Sequence, residues 1–81
     1  MKGSETDLWE LLTARQRDVA ALLVKGCSNK EIGRALDITT ASVKQHMARI
    51  CSAVGARNRT AAAVTLATAE LSERLGRRDS R

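Results

Sequence analysis

Apolar residues along this chain recur at three- and four-residue intervals, and no stretch alternates with the two-residue period of a half-buried strand. With no proline present, the pattern predicts helices, and hydroxyl, amide and glycine residues cut it into four. Thr13-x-x-Gln16 and Ser28-x-x-Glu31 have the capping-box form, in which a hydroxyl takes an N3 amide and the N3 side chain returns to the cap. Thr39, just after Leu36-Asp37-Ile38, and Asn58, ahead of an Ala-rich run, are further residues of N-cap type. Gly26, Gly55 and Gly76 stand where a left-handed residue would end a helix. The predicted helices span about 14–24, 29–36, 40–53 and 59–75. Leu8, Trp9, Leu11 and Leu12 add a turn laid on the core, and 77–81, Arg-Arg-Asp-Ser-Arg, read as a frayed basic tail. The expectation is an all-α chain with a leader at 1–11, one four-helix domain at 12–76 and the tail at 77–81.

The second predicted helix is short, the turn after it has three residues, and the third helix is long, which is the cadence of a helix-turn-helix. Ile32, Leu36, Ile38, Val43, Met47 and Ile50 fall where two crossed helices share apolar contact. A glycine inside a helix costs about 1 kcal/mol relative to alanine, so Gly33 implies a steric reason, the close approach of the following helix. Stepping about 100° per residue from Val43, Met47, Ile50, Cys51 and Val54 form one buried stripe. Ala41, Lys44, Gln45, Ala48, Arg49 and Ser52 lie on the opposite face, and no acid occurs from Thr39 to Val54. A merely solvated helix face mixes both charge signs; removing every negative one makes sense where phosphates lie alongside.

Composition narrows the class of function. Eighty-one residues allow one small domain, too small for a deep catalytic cleft. Net charge is +5, distributed as −2 over residues 1–11, +4 over 12–56 and +3 over 57–81, so the basic excess begins with the helical patterning. Trp9 is the sole aromatic, which weighs against single-strand or RNA binding by base stacking and leaves duplex DNA. The longest apolar run, Val19 to Val24, is far short of a membrane span, and Met1 to Asp7 lack the apolar core of a signal peptide, which predicts a cytoplasmic protein.

The segments LTARQRDV, KGCSNKEIGRALDIT, SVKQHMARI and VGARNRT, between Leu12 and Val64, together resemble the DNA-binding domain of LuxR/FixJ/NarL-type (GerE-like) bacterial transcription factors, the output domain of many response regulators and quorum-sensing receptors. The resemblance implies a four-helix domain of the LuxR/NarL C-terminal type, sequence-specific promoter binding and dimerisation through the fourth helix, with RNA polymerase a further candidate partner. The chain departs from the family at Gln16, where Glu is usual, at Cys27, usually apolar, at Ser42, usually Thr, and at Ala53, usually Lys. The last removes one phosphate contact. With some eleven residues ahead of the matched region, the chain reads as an excised output domain or a regulator of minimal size.

Residue chemistry assigns roles. Lys44 can reach guanine O6 and N7, Gln45 can pair with adenine, and Ala48 can touch a thymine methyl, so these three are the expected base contacts. Ser42, His46 and Arg49 share one flank suited to a phosphate strand, and Asn29, Lys30, Thr39 and Thr40 sit at helix N-termini, where amides and the dipole favour anions. These seven would hold register without choosing sequence. Helix four carries two apolar faces: Ala62, Leu66 and Ala69 on one, and Val64, Ala67, Leu71 and Leu75 on the other. One must dock on the domain, and the face through Val64 and Leu71 is the expected contact of a homodimer. His46 and Cys51 lie too far around one helix to share a metal, so no metal or other cofactor is expected, and Cys27 and Cys51 read as packed thiols. No nucleophile, base and orienting group form a set, so the chain is not expected to be an enzyme. The choice lies between a transcriptional regulator that reads duplex DNA and a module of the same fold that regulates a protein partner without binding DNA.

Overall fold

In a computed structural model, which describes residues 7–79, a 3-10 turn at Leu8–Leu11 leads into four helices: α1 (Ala14–Val24), α2 (Asn29–Leu36), α3 (Thr40–Val54) and α4 (Arg59–Asp79). The described residues contain no strand. Residues 1–6 of the expected leader and 80–81 of the expected tail lie outside the described residues.

Each helix starts where a side chain takes up amides that the helix cannot bond itself. Gln16 N–H donates to Thr13 Oγ1 at 3.2 Å while Thr13 N–H donates to Gln16 Oε1 at 2.9 Å, so glutamine completes the box as glutamate would. Ser28 and Glu31 make the same reciprocal pair at 3.1 and 2.8 Å. Thr39 Oγ1 accepts from Ser42 N–H at 3.0 Å, and Asn58 Oδ1 from Ala61 N–H at 2.8 Å. Helix ends follow a different rule. At α1, Gly26 at φ +92° lets Cys27 N–H return to the Leu22 carbonyl at 3.1 Å and Gly26 N–H to Leu23 at 2.9 Å, the Schellman arrangement. Gly55 ends α3 the same way, and α3 reaches Val54, one residue beyond the expected end.

Two ends are made without a left-handed glycine, that of α2 at the expected Leu36 and that of α4 beyond the expected residue 75. The turn after α2 rests on Asp37, a non-glycine residue at φ +58°, with Ile38 N–H returning to the Gly33 carbonyl at 2.9 Å. Asp tolerates the left-handed region better than most side chains, because its short carboxylate can bond locally. The fourth helix does not stop at Gly76: α4 continues through it to Asp79. Glycine weakens a helix by about 1 kcal/mol but stops it only by turning left-handed, and Arg77 and Arg78 are good helix formers.

The core is formed by Leu12, Val19, Ala20, Leu23, Ile32, Val43, Met47, Ile50, Ala62 and Leu66, all buried. Helix α3 lies at its centre, in contact with α1, α2 and α4. Its inner stripe, Val43, Met47 and Ile50, is flanked by half-buried Cys51 and Val54. The leading turn is laid on this core through three of its four expected residues: Leu12 is buried, Leu8 and Trp9 are half-buried, and Trp9 Nε1–H donates to the Leu66 carbonyl at 3.1 Å, whereas Leu11 faces solvent. Arg17 Nε–H ties the same turn to α1 through the Trp9 carbonyl at 2.9 Å.

Gly33 is buried, and its neighbour is not the one expected. A Cβ there would stand 2.8 Å from the Ile38 carbonyl oxygen, in the turn, and at an ordinary 3.6 Å from Val43 Cγ2 on the next helix. The glycine admits the backbone of the turn, and only through it the helix that follows.

Candidate nucleic-acid interface

Because α3 spends its apolar stripe on three neighbouring helices, the opposite face stays open. Lys44, Gln45, Ala48, Arg49, Ala41 and Ser52 are all exposed, so the three expected base contacts stand uncovered together on adjacent turns. On the flank, Ser42 and His46 are half-buried beside exposed Arg49, and half-buried Ala53 lies on the same side. At the start of α3, Thr39 and Thr40 are exposed. The Thr39 hydroxyl accepts from Ser42 N–H, and its own O–H stays available to donate.

Helix α2 places Lys30 in solvent and Asn29 partly inside. Asn29 Oδ1 is occupied, since it accepts from the Arg59 guanidinium at the start of α4. Arg59 also donates to the Cys27 carbonyl. The local sequence pattern does not disclose these partners of Arg59, which lie 30 and 32 positions away.

The basic side chains divide into two sets. Arg15, Arg17, Arg59 and Arg74 are engaged within the chain: Arg15 with Asp18 and the Leu36 carbonyl, Arg17 with Trp9, Arg59 with Asn29 and Cys27, and Arg74 with Glu70. Among the described residues, the side chains of Lys25, Lys30, Arg34, Lys44, Arg49 and Arg57 have no hydrogen bond or ion pair, and three of these, Lys30, Lys44 and Arg49, stand at the expected DNA contacts. An ammonium or guanidinium without an internal partner gives up only water and counterions when it meets a phosphate, so binding there needs no ion pair to be broken first.

Helix α4 uses its two faces differently. Ala62 and Leu66 are buried in the core, whereas Val64, Leu71 and Leu75 are 60%, 54% and 48% exposed, with half-buried Ala67 between them. The four share one side of the helix at spacings of three, four and four residues, a continuous apolar stripe and not scattered exposure. Cys27 and Cys51 are free thiols, half-buried against the core. Among the described residues, no three His, Cys, Asp or Glu side chains gather as a metal site, and no helix is long and apolar enough to cross a membrane.

Residues 10–66 match the family model of bacterial regulatory proteins of the luxR family. The chain is 47% identical over 64 residues to a protein of Escherichia coli (strain K12) provisionally named HTH-type transcriptional regulator YhjB, a match covering 76% of this chain and 32% of that one. It is 40% identical over 58 residues to the response regulator protein VraR of Staphylococcus aureus, covering 72% of this chain and 28% of the relative, and equally to VraR of Staphylococcus saprophyticus. The matched region is about a third or less of the length of these relatives.

Proposed function

The chain belongs to the luxR family of bacterial regulatory proteins and carries its helix-turn-helix DNA-binding domain, and from that premise we propose that it reads promoter DNA through the outer face of α3, as a homodimer joined along α4. The observation that supports this most is the acid-free outer face of α3, open to solvent, with Lys44 and Arg49 unpartnered upon it. Lying in the major groove, Lys44, Gln45 and Ala48 meet base edges, while Ser42, His46 and Arg49 follow one phosphate strand. Thr39 and Thr40 at the start of α3, with Asn29 and Lys30 at the start of α2, hold the domain in register on the backbone. A promoter regulator acts where the chromosome is, in the cytoplasm at the nucleoid.

The test is to select duplexes from a random pool and measure their binding across ionic strength. Log K falls linearly with log salt, with a slope of about −0.9 for each phosphate contacted. Binding that ignores salt, or no enriched duplex, would favour the protein-interaction reading.

The free stripe of α4 supports the dimer reading. Pairing two copies across Val64, Ala67, Leu71 and Leu75 covers the largest exposed apolar side chains of that helix and presents two recognition helices to half-sites about 34 Å apart. Leu71→Arg places a charge in the middle of that contact. Sedimentation should show the variant as a monomer at concentrations where the parent chain is a dimer, with helicity unchanged because the position is exposed; an unchanged dimer would exclude this face.

A further inference from the structure

Arg59 stands where electrostatics disfavours it. It is the first residue of α4, and its guanidinium reaches Asn29, the first residue of α2, so it lies against two helix N-termini, each equivalent to roughly half a positive charge. No acid occurs in the first turn of α4, and Glu31, the acid in the first turn of α2, has its carboxylate engaged with the Ser28 N–H at 2.8 Å. Two acceptors hold it there: Nη1–H donates to Asn29 Oδ1 and Nη2–H to the Cys27 carbonyl, both partly buried. These partners flank Ser28, the N-cap of α2, whose capping box takes up the Glu31 amide and leaves those of Asn29 and Lys30 outside it. The planar fork of arginine suits two acceptors on two adjacent elements, whereas an ammonium can only sit between them as a point charge.

We propose that Arg59 is a positioning residue that clamps the N-terminal turn of α2 to the start of α4, holding Lys30 and the Asn29 and Lys30 amides where a DNA phosphate meets them. The clamp makes the helix assigned to dimerisation and the turn assigned to the DNA backbone move as one body. The inference rests on the reading above that α2 meets the backbone, and it adds the residue that aims it. Arg59 thereby acts on DNA through α2 and not by touching it.

The experiment compares the parent chain with Arg59→Gln, Arg59→Lys and Asn29→Ala, by amide hydrogen exchange in the free chain and by binding to a selected duplex across ionic strength. Arg59→Gln should lose exchange protection at 28–32 and at the start of α4 while Val43 to Ile50 keep theirs. Its duplex affinity should fall about tenfold, the scale of a lost charged hydrogen bond, and the salt slope should shrink by about one phosphate. Arg59→Lys should restore neither protection nor slope, and Asn29→Ala should add little on top of Arg59→Gln. Rescue of the slope by lysine would make Arg59 a direct phosphate ligand and overturn the proposal. So would protection lost evenly along the chain, or a local loss with affinity unchanged. A parent chain whose duplex binding ignored salt would overturn the DNA reading itself and the clamp's purpose with it.

Discussion

Replacing Gly33 by alanine should lower the melting temperature of this domain by several degrees, up to roughly 15 °C, although alanine is the better helix former. In an open helix the change would gain about 1 kcal/mol. Here the new Cβ would stand 2.8 Å from the Ile38 carbonyl oxygen, a backbone atom that cannot swing aside as a side-chain tip would. Ile38 is also pinned, because its N–H donates to the Gly33 carbonyl at 2.9 Å. Relief requires the turn to open and α3 to shift on α2, a rearrangement of the kind that costs about 1–3 kcal/mol. A domain of this size has only about 0.05–0.15 kcal/mol per residue in hand. Thermal denaturation followed by circular dichroism checks the prediction, and a melting temperature that stayed level or rose would show that the turn yields without cost.

Lys44→Ala should weaken binding to a selected duplex by about 1–3 kcal/mol, several-fold to about a hundredfold, and leave folding alone. Lys44 is exposed and its side chain makes no internal hydrogen bond or ion pair, so truncating it removes little the fold depends on. The pattern of the loss identifies the contact. If Lys44 reads a base, the selected duplex suffers more than a random one and specificity relaxes at one position; a phosphate contact would weaken both alike and reduce the salt slope by about one. Unchanged affinity for both would remove Lys44 from the interface.

What could be read from the chain in advance was what is local. The caps at Thr13, Ser28, Thr39 and Asn58 bond within three residues, so spacing alone exposes them. The inner stripe of α3 was legible because helical period ties Val43 to Met47 and Ile50 whatever they pack against. The left-handed turn at Asp37 is harder to read because glycine is the usual residue there, and the signal is only an Asp between two apolar residues at the end of a short helix. Gly76 misled in the opposite sense, since a glycine without a left-handed turn is only a weak point in a helix. The true neighbour of Gly33 was hidden too, because the glycine indicates that something comes close but not which atom. Arg59 was the hardest to see: its partners are remote in sequence, and the only hint was an arginine at the first position of a helix, where the dipole opposes it.

The central claim is that the outward face of α3 is the surface that meets DNA, and titration of the isotope-labelled chain with a selected duplex measures this residue by residue. The account predicts that the amide signals of Lys44, Gln45, Ala48 and Arg49 shift most, with smaller changes at Lys30 and Thr40 and none along Val64, Leu71 and Leu75. Shifts concentrated on α4, with the α3 signals unmoved, would contradict it.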